Sequence, residues 1–103
     1  MTAPQAAMTP EDLAFARLFV GSCRWQFAAS VPEHPHEYCL RRWLPPERRA
    51  DFDRFAAMIA AHGYPGCFWG QRWVYLALCD GRKYWTSREL YGDGVILNRA
   101  AVA

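Results

Sequence analysis

Gln71–Leu78 (QRWVYLAL) and Arg82–Thr86 (RKYWT) are two strand-like runs rich in aromatic and aliphatic residues, with Asp80-Gly81 between them. Such runs mark β-strands, and an Asp-Gly pair between two of them marks a hairpin. A two-residue loop of type I′ suits Asp-Gly, because both central positions need positive φ. That loop predicts a register with Cys79 opposite Arg82, Ala77 opposite Tyr84, Leu76 opposite Trp85 and Tyr75 opposite Thr86. Val74, Leu76, Leu78 and Trp85 then share an apolar core face. Trp73, Tyr75, Ala77, Arg82, Tyr84 and Thr86 share a second face with rings, hydroxyls and a cation. A slip of one residue exchanges such faces.

Elsewhere the period changes. Thr9-Pro10-Glu11-Asp12 is a helix start, with a capping hydroxyl, proline at the first helical position and acids at the positive end of the dipole. The helix runs on through Val20, with Phe15, Leu18 and Phe19 on one face, and stops at Gly21-Ser22. Arg24–Ala29 alternates Trp25 and Phe27 with polar residues, which predicts a short strand in competition with a continued helix. Pro32 and Pro35 make 31–38 a loop, and Tyr38–Trp43 is the next strand candidate. Pro45-Pro46 opens a long helix from Pro46 or Glu47 to Ala61 or His62. Its apolar stripe is Phe52, Phe55, Ala56 and Ile59; Glu47, Arg48, Arg49, Asp51 and Arg54 form its solvated face. Gly63 fits the position after the helix, with Pro65 as a stop. Tyr64–Gly70 reads as a loop, Glu89–Gly94 as a turn-rich connection and Gly94–Arg99 as a further strand. Together these predict one small α+β domain over 9–103, after a flexible arm over 1–8. An antiparallel sheet of three or more strands, centred on the hairpin, packs on one long helix and an N-terminal helix.

Composition sharpens this. At 103 residues the chain supports one core. Five Trp, five Tyr and six Phe exceed what a small core comfortably hides, so some rings are expected at a binding surface. The net charge of +2 is too small to argue for duplex DNA by bulk electrostatics. No apolar run reaches the roughly 20 residues of a membrane span, and 1–8 has neither a basic nor an apolar leader segment. The expected setting is cytoplasmic. Cys23, Cys39, Cys67 and Cys79 form no Cys-x-x-Cys pair and are expected as reduced thiols.

The densest chemistry lies in Glu33–Arg42 (EHPHEYCLRR). His34 and His36, two apart on either side of Pro35, point the same way in an extended segment. With Tyr38 they offer catalytic acid/base groups near neutral pH, and Arg41 or Arg42 offers a bidentate anion clamp. The plainer reading is a loop whose polar groups bond the backbone. His34, His36 and Cys39 also present N, N and S donors, with Cys67 or His62 as a fourth, but they reproduce no zinc spacing. No metal or other cofactor is assigned. Trp73, Tyr75 and Tyr84, with Arg41 and Arg82, suit a nucleobase and its phosphate. The same residue types anchor protein interfaces.

Five separated elements resemble a widespread group of small bacterial and phage proteins. They are His34-Pro35-His36-Glu37-Tyr38 with Arg41, Tyr75-Leu76, Asp80-Gly81, Lys83-Tyr84-Trp85-Thr86 and Ile96-Leu97-Asn98-Arg99. The likeness runs from about Phe19 to Ala100 and assigns no activity. Thr86-Ser87-Arg88 departs from the Thr-Met-Gly often found there in the group. A phage-associated protein implies modulation of a host system. The sequence thus supports a nucleotide- or single-stranded-nucleic-acid-directed binding domain, with a small enzyme using the His/Tyr/Arg loop as one form of it. The alternative is a protein-binding module, such as a phage-type inhibitor of a host complex. A third reading is an oligomerising domain that pairs through a sheet edge.

Overall fold

The computed structural model describes residues 8–28, 36–68, 70–78 and 81–86, and the backbone of 94–98. Two helices pack on one face of a six-stranded antiparallel sheet. The helices are α1 (Pro10–Ser22) and α2 (Arg49–His62). The strands are β1 (Gln26–Ala28), β2 (His36–Leu40), β3 (Tyr64–Phe68), β4 (Gln71–Ala77), β5 (Lys83–Thr86) and β6 (Gly94–Asn98). Their order across the sheet is β1-β2-β6-β5-β4-β3. The small α+β class expected from the pattern is the one observed.

Thr9 caps α1 as its position predicts: the Asp12 amide donates to Thr9 Oγ1 at 3.1 Å. The buried seam of α1 is Ala16 and Phe19. Leu18 does not join it and is 76% exposed, because one residue of helix turns the side chain about 100° away from Phe19. Phe19 packs on α2 at ring distances of 5.2 Å from Phe55 and 6.3 Å from Phe52. The buried stripe of α2 is Phe52, Phe55, Met58 and Ile59. Its charged side does more than face water. Arg48 donates to Ser22 Oγ at 2.6 Å and lies over the Phe19 ring, and Arg54 pairs with Asp12 at 3.0 Å and lies over Phe15. These contacts tie the two helices together.

Two boundaries differ from the sequence pattern. The long helix opens with a 3-10 turn at Pro46–Arg48, and a second such turn, Arg41–Trp43, replaces the end of the strand expected over Tyr38–Trp43. That strand begins earlier, at His36, where it pairs with both β1 and β6. Tyr64–Phe68, expected as a loop, is the strand β3. Pro65 and Gly66 argue against a strand, yet β3 is the outermost strand, where a missing N–H leaves no ladder bond unmade. Gly63 follows α2 in extended rather than left-handed geometry, φ −74°. Its lack of a side chain is needed for space: a Cβ there would run into the Ile59 carbonyl and Val74 Cγ1.

The hairpin is present, but its register is one residue away from the expected one. Tyr75 pairs with Trp85, Leu76 with Tyr84 and Ala77 with Lys83. The connection is therefore longer than a two-residue loop. Gly81, at φ +79°, donates its N–H to the Leu78 carbonyl at 3.3 Å, which suits a turn that ends in a left-handed glycine. Cys79 and Asp80 lie outside the described residues. The slip moves Tyr84 to the helix-covered face with Leu76 and Leu78, and moves Trp85 to the opposite face with Tyr75.

Candidate functional site

Pairing places Tyr38, Ile96, Trp85, Tyr75 and Tyr64 in one row across the sheet. Alternation adds His36 from β2, Phe68 and Gly66 from β3, Trp73 from β4 and Lys83 from β5 to the same face. The side chains follow. Ring contacts run from Trp43 to Tyr38 (5.3 Å), to His36 (6.2 Å), to Phe68 (5.8 Å), to Trp85 (5.4 Å), to Tyr75 (4.9 Å) and to Tyr64 (6.0 Å). Trp73 joins edge-on to Phe68 at 6.2 Å. β2 and β3 stand four strand spacings apart, roughly 19 Å in a flat sheet. The His36–Phe68 contact therefore requires the sheet to curl, with this aromatic face inside the curl and the helices outside it.

The middle of the ribbon is closed and its ends are open. His36 is fully buried, and Phe68 and Trp85 nearly so. Trp43 and Tyr64 are exposed, and Tyr38, Trp73 and Tyr75 are half-buried. Gly66 makes room for the middle. A Cβ there would stand 2.8 Å from Tyr75 Cδ1 and 2.9 Å from Trp85 Cη2. Near the Tyr64 end, Lys83 Nζ lies 4.7 Å from the centre of the Tyr75 ring. Trp73 Nε1 donates to Gln71 Oε1 at 3.3 Å. Trp85 Nε1 is buried with no acceptor among the described residues.

The structure gathers some of the sequence-predicted residues and parts others. His36, Tyr38, Trp73 and Tyr75 share the aromatic face. His34 lies outside the described residues. Tyr84 does not belong to the platform: it is 1% exposed in the helix-side core, edge-on to Phe55 at 5.8 Å and 6.0 Å from Trp25. Arg82 stands one residue before Lys83, so alternation sets it on the other side of the strand from that lysine. Arg41 forms a bidentate ion pair with Asp53 of α2, at 2.9 and 3.1 Å. That guanidinium holds the Asp53 carboxyl below its usual range.

The zinc donor set also divides. His36 and Cys39, three apart on one strand, face opposite sides. On its own side Cys39 is buried and hydrogen-bonded to Cys23, whose thiol is pushed up by that bond and by burial. The sequence reading missed Phe68 and Tyr64, which sit on the strand masked by Pro65 and Gly66. It also missed Trp85, placed on the wrong face by the register, and Lys83.

The chain matches no family model, no curated protein and no solved structure. Among the described residues no helix is long and apolar enough to cross a membrane.

Proposed function

We propose that this domain binds a nucleotide or a single-stranded nucleic acid at the open end of the aromatic face. The observation that carries the reading is the group Tyr64, Tyr75 and Trp73 with Lys83 Nζ at 4.7 Å from the Tyr75 ring. These rings are partly exposed on a sheet that holds them from below, and a cation stands among them. Bases stack on such rings with little regard to sequence, at about 1–3 kcal/mol per base, while a lysine takes the phosphate as a point charge. Binding is better supported than catalysis. His36 is sealed inside the ribbon and Arg41 is engaged with Asp53, so neither stands at the open end.

The test is a tryptophan-fluorescence titration with mononucleotides and with short single-stranded DNA and RNA at several salt concentrations. Tyr75→Ala and Trp73→Ala are each expected to weaken binding by about tenfold or more. Lys83→Gln is expected to lower the salt slope by about one. Wild-type affinity in folded Tyr75→Ala and Trp73→Ala variants would remove the site.

A second reading rests on a different observation. Leu18 is exposed beside a shallow hollow lined by Phe15, Phe19, Ser22, Arg48 and Asp51. An apolar patch rimmed by charge suits a protein partner, as a phage-type inhibitor of a host complex would need. A partner lost with Leu18→Glu but kept with Tyr75→Ala would favour this reading. A partner insensitive to Leu18→Glu would dismiss α1 as its seat.

A further inference from the structure

The helix-covered face of the sheet is incompletely covered near the C-terminal end of α2. Val74 and Thr86 stand there, one step beyond the Tyr75–Trp85 pair. Leu76 on the same face of β4 is sealed, but Val74 is 41% exposed. The helix presents the small Ala60 beside Ile59 at this point, and the chain then turns at Gly63 into β3. The result is an open groove of about 340 Å³, lined by Ile59, Ala60, Gln71, Arg72, Trp73, Val74 and Thr86.

Its lining is chemically divided. Ile59, Ala60 and Val74 supply an apolar wall, and Arg72 and Thr86, on the same face of their strands as Val74 and Tyr84, supply polar groups. Arg41, Arg48 and Arg54 are committed, to Asp53, Ser22 and Asp12 in turn. Arg72 makes no ion pair or hydrogen bond with the described residues. Gln71 and Trp73 border the groove from the other face of β4, where Trp73 Nε1 donates to Gln71 Oε1. Thr86 adds a half-buried hydroxyl.

We propose that this groove binds a small organic anion: a carboxylate or phosphate group carried on a compact apolar body. The planar guanidinium of Arg72 takes the anionic group bidentately. Thr86 donates to one of its remaining oxygens. The body lies against Ile59, Ala60 and Val74. The volume is at the lower end of small-molecule sites, which run from roughly 300 to 1,000 Å³, so one ring with one acidic group is the fitting size. Arg72, Val74 and Thr86 face away from the aromatic ribbon, and the inference stands independently of nucleic-acid binding.

The test is an amide-resolved NMR titration of the full chain with four probes: benzoate, phenyl phosphate, benzyl alcohol and inorganic phosphate. Saturable shifts centred on Arg72, Val74 and Thr86 are expected with benzoate or phenyl phosphate, and the stronger of the two names the anion. Benzyl alcohol and inorganic phosphate, each lacking half of the required chemistry, are expected to bind at least tenfold more weakly. Arg72→Gln, at an exposed position, is expected to weaken the better anion at least tenfold, while Arg24→Gln leaves it unchanged. Equal binding of benzyl alcohol, undiminished binding in Arg72→Gln, or shifts scattered away from the groove would each overturn the proposal.

Discussion

Tyr84 and Trp85 are adjacent, equally buried at 1% exposure, and buried by different means. Tyr84 faces the helices, where Phe55, Leu76 and Leu78 close around it. Trp85 faces the other way, where no described helix packs. Phe68, Tyr75 and Trp73 surround it because the sheet curls. One side is sealed by a separate layer of structure and the other by neighbouring strands of the same sheet. A layer of helices gives a conventional core with little left open. A curled sheet closes its middle but leaves its rims accessible, and Tyr64, Tyr75 and Lys83 stand at one of those rims.

The largest test of this contrast is truncation of one ring on the helix side. Phe55→Ala is expected to cost about 3–5 kcal/mol in urea unfolding, because it empties the point where both helices and β5 meet. A cost below about 2 kcal/mol would show that the helix layer is not the principal core. Gly66→Ala probes the other side. Its Cβ would press on the Tyr75 and Trp85 rings at 2.8–2.9 Å, so a loss of about 1–3 kcal/mol is expected from overpacking. No change would mean that the aromatic ribbon is loose enough to yield.

Trp85→Phe is expected to be gentler, about 1 kcal/mol or less. The smaller ring leaves a void, but the change also removes a buried N–H that lacks an acceptor among the described residues, and such an orphan itself costs about 1–3 kcal/mol. A loss of several kcal/mol would show that this N–H is satisfied in solution.

The smallest effect belongs to the exposed pairs outside both faces. The Arg41 and Arg54 guanidinium groups hold the Asp53 and Asp12 carboxyls below the usual carboxylate range. For a lowered carboxylate pKa, the contribution is complete above the unfolded value and is lost as pH falls through the folded one. A small drop in the urea midpoint is therefore expected only below about pH 4, and added salt mutes it. In Asp53→Asn that drop should shrink. An unchanged acid limb would assign the acid sensitivity to other carboxylates.

The hairpin was legible because Asp80-Gly81 divides two strand-like runs, but its register was not. Tyr84 and Trp85 are both large aromatics, and both strands carry apolar residues on both faces. A one-residue slip exchanges one large ring for the other and Lys83 for Arg82 on the helix-covered face, so hydrophobicity alone does not choose between registers. In the same way His36 reads as a reactive loop histidine because it follows Pro35. Only its pairing with Ala28 and its place against Phe68 make it a buried ring. Of the candidate site, Trp73, Tyr75 and Tyr38 were found from residue type and spacing. Tyr64 and Phe68 were hidden by Pro65 and Gly66, whose strand is tolerated only at a sheet edge.

What the sequence determined by itself was local: two helices, the Thr9 cap of the first, the hairpin, the final strand, and a surplus of aromatic rings. These follow from periodicity and turn chemistry, which act over a few residues. Tertiary structure alone decided which aromatics face the helices and which face the curl. It also decided that Arg41 is drawn to Asp53, and that a groove opens where α2 stops short of Val74. Those outcomes depend on strand register and on curvature summed over six strands, and no short stretch of sequence encodes either.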